Sequence, residues 1–402
     1  MKYIIILGDG MSDRPIKSLG GRTPLMVAET PSIDSLCARG ICGKFATVPP
    51  ELAPGSAVAN LSVLGYDAAE VFQGRGVLEA ASMGVELEST DLAMRCNLIC
   101  VEDGVIKNHS AGHISTEESH KLIYSLQQEL GSESIIFHPG ISYRHLFVLK
   151  NGSDSVSCTP PHDVPGTAFS QVMVTAAKPE GEETAAVLNR LIIRSQEILK
   201  NHPVNLKRIE EGRDPANSVW FWSPGYKPRM KTLFELYGLK GAVISAVDLV
   251  KGLGVYAGLD VIEVEGATGL YDTNYEGKAQ AAIDALKGDY DFVYLHVEAT
   301  DEAGHEGDVD LKIKTIEYLD RRIVKFIMEE TEKMEEDVAI GITPDHGTPC
   351  DLRTHVHDPV PFLIYLPGNK PDDVMLYDEV STDSGSLGII RGDAFMRILL
   401  NR

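Results

Sequence analysis

A chain of 402 residues, 43% hydrophobic and 24% charged, can bury a sizeable core, and more than one domain is the default expectation. Its formal net charge of −22 at pH 7 argues against a nucleic-acid or anionic-membrane partner, although bound divalent cations could reverse the field locally for an anionic substrate. No repeat period or low-complexity tract is visible, no stretch reaches the roughly 18 apolar residues of a membrane span, and the apolar run at the start is too short for a signal peptide, so a soluble, cytoplasmic protein is expected.

Taken in chain order, Lys2 to Leu7 reads as a continuous apolar strand, the pattern of a strand buried on both faces of a parallel sheet. Gly8-Asp9-Gly10 breaks it, at the strand end where open α/β sheets bind ligands. Pro54-Gly55-Ser56-Ala57 follows, where Gly55 is expected to turn the chain sharply and Ser56 to stand at the N-terminus of a helix starting near Ala57. Ser56 alone would be an ordinary N-cap.

The stretch 85–220 has a different texture. Short strand-like runs (Arg95 to Val101, His145 to Leu149, Gln171 to Thr175, Ser218 to Trp222) mix with two helices, near 116–130 and 182–200. This block is expected to be an α+β domain inserted into a core formed by 1–84 and 221–402. The core resumes with a helix-like stretch at 276–287 and three more buried-type strands. Asp291 to Val297 runs into an acidic, His-containing segment, Val338 to Thr343 runs into Pro344-Asp345-His346-Gly347, and Pro361 to Leu366 follows a His-rich loop. A helix is expected over 310–333. The alternation predicts an α/β fold with a mainly parallel sheet. The six cysteines, at 37, 42, 96, 100, 158 and 350, have no His pair at zinc spacing, and reduced thiols are expected.

The chemistry lies at the strand ends. Asp301 and His305, four apart, share one face of a helix, as a surface carboxylate–imidazole pair also would. Asp345-His346 is adjacent at a strand end, and His355 and His357 alternate in the following loop, where one of them need only be an ordinary loop histidine. Together, Asp9, Asp301, Asp345, His305, His346 and one of the 355/357 pair divide into two mixed O/N sites with open positions. Such sites suit Mn²⁺ or Zn²⁺ rather than Ca²⁺. Two cations can clamp the attacking and leaving oxygens of a phosphoryl displacement, with Ser56 as nucleophile.

The segments G-D-G-M-S-D (8–13), P-G-S-A-V-A-N-L-S-V-L-G-Y-D (54–67), G-R-G-V-L-E-A-A (74–81), H-V-E-A-T-D-E-A-G-H-E-G-D (296–308), T-P-D-H-G-T-P (343–349) and H-V-H-D-P-V-P-F (355–362) closely resemble the archaeal-type branch of cofactor-independent phosphoglycerate mutase, in the alkaline phosphatase superfamily. The resemblance spans nearly the whole chain. It implies an alkaline-phosphatase-like three-layer core, with one metal on Asp9, Ser56, Asp345 and His346 and the other on Asp301, His305 and His355. His355 is taken by counting back from Asp358, although the family usually has a small polar residue where this chain has His357. Mn²⁺ is the expected ion, with Zn²⁺, Co²⁺ and Mg²⁺ as alternatives, and neither a nucleotide nor 2,3-bisphosphoglycerate is expected.

The implied reaction interconverts 3-phosphoglycerate and 2-phosphoglycerate, in glycolysis or gluconeogenesis, through a phosphoserine at Ser56 and a glycerate trapped between the domains. The resemblance assigns Arg144 and Asp163 to the glycerate carboxylate and hydroxyls and Lys278 to the phosphate. Arg75 and His113 are further candidates, His113 standing where the family often has Arg. Rival readings are another phosphotransferase on the same scaffold (a kinase-like enzyme for a small hydroxy acid or amino acid, or a phosphopentomutase), a plain phosphohydrolase, and a metal-dependent binding module. No Walker-type loop supports a nucleotide-using kinase. Oligomeric state is left open, a homo-oligomer included.

Overall fold

The structure is a computed structural model that describes residues Met1 to Arg402. It forms two compact units, residues 1–72 with 229–402, and residues 73–228. The first unit opens with β1 (Lys2–Gly8) and β2 (Ile41–Ala46). The second contains β3 (Asp91–Glu102), β4 (Val105–Asn108), β5 (Ile135–Ile141), β6 (Arg144–Lys150), β7 (Val156–Ser157), β8 (Thr175–Ala176) and β9 (Ser218–Gly225). The chain then returns to the first unit with β10 (Gly241–Ile244), β11 (Leu259–Val261), β12 (Phe292–Val297), β13 (Val338–Thr343), β14 (Val360–Tyr365) and β15 (Ile389–Arg391).

An eight-stranded sheet in the order β11-β10-β12-β1-β13-β14-β2-β15 organises the first unit. From β11 to β13 the pairing is parallel, and β14 runs antiparallel to both β13 and β2. Ile4, Ile5, Ile6 and Leu7 of β1 are fully buried because neighbouring strands flank it and elements cover both faces, which is why its sequence does not alternate. Leu7 lies opposite both His296 and Thr343, so β1, β12 and β13 end level with one another. The turns that follow them therefore start side by side.

The second unit is built around the long β3, which pairs with β4 near its C-terminal end and with β6 and β9 along its length. The helices Thr116–Leu130 and Glu182–Leu199 bury Leu122, Ile123, Leu126, Leu188, Leu191 and Ile192 in its core. The helix Arg75–Ser82 belongs to this unit, so its boundary falls after residue 72 rather than at 85. A Cβ on Gly76 would lie 2.8 Å from the Ala93 carbonyl oxygen, so glycine lets this helix press on β3.

Two expectations need correction. No strand runs over 171–175; a 3-10 turn spans Phe169–Gln171 and only Thr175–Ala176 pairs, with β7. The Asn189 side chain accepts from the Val174 amide at 3.0 Å and donates to its carbonyl at 2.8 Å, taking the bonds a partner strand would make. The helix expected over 310–333 is interrupted by a π-helical turn, Leu319–Val324, between helices Val309–Tyr318 and Lys325–Thr331. There the buried Asp320 accepts the backbone amides of Ser32 and Ile33 at 2.9 and 2.7 Å.

Candidate active site

Asp9 leaves β1 with its amide still bonded to the Val297 carbonyl at 2.9 Å. Gly10 then turns at φ 59°, and any Cβ there would collide with Asp301 Oδ1, so glycine is required on both counts. Asp345 and His346 follow β13. Asp301 and His305 sit on the helix Ala299–Glu306, four apart on one face.

These side chains converge. The ligand atoms of Asp9, Asp345 and His346 lie within 4.8 Å of one another, as do those of Asp301, His346 and His355. His346 Nε2 is 3.3 Å from Asp345 Oδ2 and 3.5 Å from Asp9 Oδ1, placing His346 in both groups. His305 Nε2 lies 3.2 Å from Asp301 Oδ2 and 2.9 Å from His355 Nε2. His355 therefore joins the cluster, whereas His357 turns its Nε2 to the Leu52 carbonyl at 2.8 Å.

Partners outside the cluster fix each carboxylate. Asp345 Oδ1 accepts from the amides of Gly10 and His346 at 3.1 and 2.8 Å, and its Oδ2 accepts from Asn60 Nδ2 at 2.9 Å. Asp9 Oδ2 is 2.9 Å from His296 Nε2, and His296 Nδ1 is 3.1 Å from Ser245 Oγ. Asp9 Oδ1 has no hydrogen-bond partner, although the side chain is almost wholly buried.

The electrostatics follow from that burial. Burial, then the charges of Asp345, Asp301 and Glu298, push the Asp9 carboxyl well above the usual carboxylate range. Burial also drives the His346 imidazole down, and that of His296 down to about 3. At Asp301 burial is outweighed by hydrogen bonds from His305 and His355, which hold its carboxyl well below the ordinary value. The bond to Asp301 in turn lifts His305 to about 9 against its own burial. A buried cluster of acids with an orphaned carboxylate oxygen, ringed by imidazole nitrogens, fits divalent cations in place of protons.

Ser56 faces this cluster, its Oγ 3.2 Å from His346 Nε2. It is the first residue of the helix Ser56–Val63, and Gly55 is the N-cap, so the serine hydroxyl is not spent on capping. The sharp turn expected at Gly55 is absent: φ is 170°, ordinary extended backbone. Asn60, one helical turn on, bonds both the Ser56 carbonyl (2.8 Å) and Asp345 Oδ2 (2.9 Å) and accepts the Tyr294 hydroxyl at 2.6 Å. Lys278 is fully buried, its ammonium donating to the His296 carbonyl at 3.1 Å.

The remaining expected residues lie in the second unit. The Arg144 guanidinium and the His113 ring stand 5.9 and 6.1 Å from the Tyr143 ring. Asp163 ends a 3-10 turn, 3.6 Å from His162 Nε2, and the His162 ring is 6.2 Å from that of His109. Arg75 heads the helix Arg75–Ser82, its amide donating to Ser223 Oγ at 2.9 Å. Sequence reasoning missed Arg95, which lies 2.7 Å from Glu79, stacks 4.4 Å above the Trp222 ring and feels the charges of Arg75 and Arg144. His109 and His162 thus join the ring contacts around Tyr143 and Trp222, and Arg95 lies near Arg75 and Arg144. In the first unit the missed residues are Asn60, His296 and Thr348. A histidine inside an apolar strand and an asparagine four residues after Ser56 were the available signals.

Comparison with known proteins finds relatives aligned over the whole chain. The family profile of 2,3-bisphosphoglycerate-independent phosphoglycerate mutase matches residues 37–205. A protein of that name from Methanosarcina mazei is 52% identical, with all of both chains aligned. Another from Methanothrix thermoacetophila is 48% identical over the same full coverage. A solved cofactor-independent phosphoglycerate mutase from Thermoplasma acidophilum superposes with a TM-score of 0.71 at 31% identity, over 100% of this chain and 99% of that one.

Proposed function

The chain belongs to the 2,3-bisphosphoglycerate-independent phosphoglycerate mutase family, and from that premise we propose that it interconverts 3-phosphoglycerate and 2-phosphoglycerate through a phosphoserine at Ser56 on a two-metal site. The observation that carries this reading is the Ser56 hydroxyl, left free by its helix and 3.2 Å from His346 Nε2, in a cluster where Asp9 Oδ1 is buried without a partner.

Asp9, Asp345 and His346, with Ser56 beside them, would hold one divalent cation, and Asp301, His305 and His355 the other. Mn²⁺ suits this mixed O/N set, as do Zn²⁺, Co²⁺ and Mg²⁺. Bound cations would neutralise the buried carboxylates and stabilise negative charge on the transferring phosphoryl group. Ser56 Oγ loses its proton and attacks phosphorus, the bond from phosphorus to the 3-oxygen breaks, that oxygen takes up a proton, and glycerate is released from the phosphoryl group but not from the enzyme. Its 2-hydroxyl then loses its proton as the oxygen attacks the phosphoserine, the bond to Ser56 breaks with a proton returned to Ser56 Oγ, and 2-phosphoglycerate forms. The helix dipole at Ser56 favours the negative charge that develops in both halves.

In the second unit, Arg144, Asp163, His113 and Arg75 would bind the carboxylate and hydroxyls of glycerate, an arginine being suited to paired bonds with a carboxylate. Lys278 would supply positive charge from beneath the site, through the His296 carbonyl. Exclusion of water during the glycerate stage separates a mutase from a phosphatase.

The test is to load metal-stripped protein with Mn²⁺, supply 3-phosphoglycerate and follow 2-phosphoglycerate through enolase absorbance. Turnover is expected, with a phosphoryl adduct on Ser56 visible by mass spectrometry and activity falling by about 10⁴-fold or more in Ser56→Ala. Release of free phosphate without 2-phosphoglycerate would replace the mutase with a phosphohydrolase.

A further inference from the structure

Thr348 stands where the two ligand groups meet. It is fully buried, its Oγ1 donates to Asp301 Oδ1, and the same oxygen lies 3.2 Å from His346 Nδ1. A hydroxyl has a single proton, and an ionised carboxylate can only accept one. The Thr348 proton therefore goes to Asp301, and the contact to His346 must be an Nδ1–H donating to Thr348. In a neutral imidazole that leaves His346 Nε2 bare, and Nε2 is the nitrogen that faces Asp9 (3.5 Å), Asp345 (3.3 Å) and Ser56 (3.2 Å).

The threonine itself is anchored from behind. Its amide donates to the Ser12 carbonyl at 3.1 Å, and its carbonyl accepts from Lys312 Nζ at 2.8 Å. Fully buried Lys312 also reaches the Ser12 carbonyl at 3.2 Å and Asp13 Oδ2 at 2.9 Å, and Asp13 Oδ2 accepts the Cys350 amide at 3.1 Å. One ammonium thus joins the loop that follows Asp9 to the loop that follows His346. On the other side Gly304 has no Cβ, and the helix bearing Asp301 rests against the Thr348 carbonyl.

We infer that Thr348 is a positioning residue for metal binding: its hydroxyl fixes the tautomer of His346 and ties that ligand to Asp301 of the other group, so that both groups are set by one side chain. This rests on the two-metal reading above. Outer partners of metal ligands typically change affinity about 10- to 100-fold when removed.

The test compares wild type, Thr348→Val, which keeps the shape and removes the hydroxyl, and Thr348→Ser, which keeps the hydroxyl. Mn²⁺ binding to EDTA-stripped protein is measured by calorimetry. Wild type and Thr348→Ser should bind two Mn²⁺ per chain, with at least one weakened about 10- to 100-fold in Thr348→Val. Equal affinity in Thr348→Val and wild type, or equal losses in the Ser and Val variants, would overturn the inference and leave the two-metal reading standing. A wild type that binds no Mn²⁺ would remove both. A second measurement needs no variant: ¹⁵N NMR of the Zn²⁺-loaded wild type should show His346 protonated at Nδ1, and a proton at Nε2 would refute the assignment.

Discussion

An ammonium with no solvent contact must be held by what surrounds it, and Lys278 has the His296 carbonyl at 3.1 Å and the charge of Glu298 nearby. Burial is the larger influence and lowers Lys278 to about 8, Glu298 pulling the other way and Lys251 adding to the fall. An unfolded lysine titrates near 10.5. Between these values the unfolded chain binds the extra proton, so the penalty is fully present below pH 8 and is relieved as pH rises towards 10.5. The difference corresponds to up to about 3 kcal/mol. We expect the urea midpoint of metal-stripped protein to gain this contribution between pH 8 and 10, and Lys278→Met to lose it. Removing the cation also makes Glu298 harder to ionise, which widens the gap between the two proteins in the same direction. Parallel pH profiles for the two proteins would assign the alkaline change to other groups.

At the level of elements, the site depends on how closely the helix Ala299–Glu306 lies against the 343–350 loop. A Cβ on Gly304 would collide with the Thr348 carbonyl oxygen, a backbone atom that Lys312 already holds. Alanine is normally favoured over glycine inside a helix by roughly 1 kcal/mol. Here the collision should win: overpacking costs roughly 1 to 3 kcal/mol, and the displaced helix carries Asp301 and His305. Gly304→Ala is therefore expected to lower both the urea midpoint and Mn²⁺ affinity, and a stabilised variant would show that the helix can shift freely. The positions of these elements were readable in sequence because β12 and β13 are buried throughout, and β1 at every residue but Tyr3, and all three stop abruptly, at Glu298, Pro344 and Asp9. The D-x-x-x-H spacing gave the helical face of Asp301 and His305 for the same reason of period. What the sequence hid was tertiary. Nothing local marks Asn189 as the residue that bonds Val174 and replaces a strand, or Asp320 as the π-turn residue that accepts the Ser32 and Ile33 amides. Thr348 and Arg95 take their places only through neighbours elsewhere in the chain, Asp301 for Thr348, and Glu79 and Trp222 for Arg95.

For the whole molecule, the candidate ligands run from Asp9 to His355 and come from four separate segments, all within the first unit. A cation bound by them would cross-link the ends of β1, β12 and β13, and would do so in a chain whose net charge is −22. Without cations, burial and the neighbouring acids push the Asp9 carboxyl well above the usual carboxylate range, so a proton competes with a cation for this site. Binding must expel that proton, so affinity should fall as pH falls. A ligand that binds only the folded state adds about 2.7 kcal/mol at a hundred times its Kd, and two sites roughly double that. We expect EDTA to lower the Tm and Mn²⁺ to raise it progressively with concentration, more Mn²⁺ being needed at pH 6 than at pH 8 for the same rise. A Tm indifferent to both EDTA and Mn²⁺ would mean that the acids and imidazoles stabilise themselves as an ordinary buried hydrogen-bonded network. In that case the unpartnered Oδ1 of Asp9 would be a cost to the fold with no compensating ion.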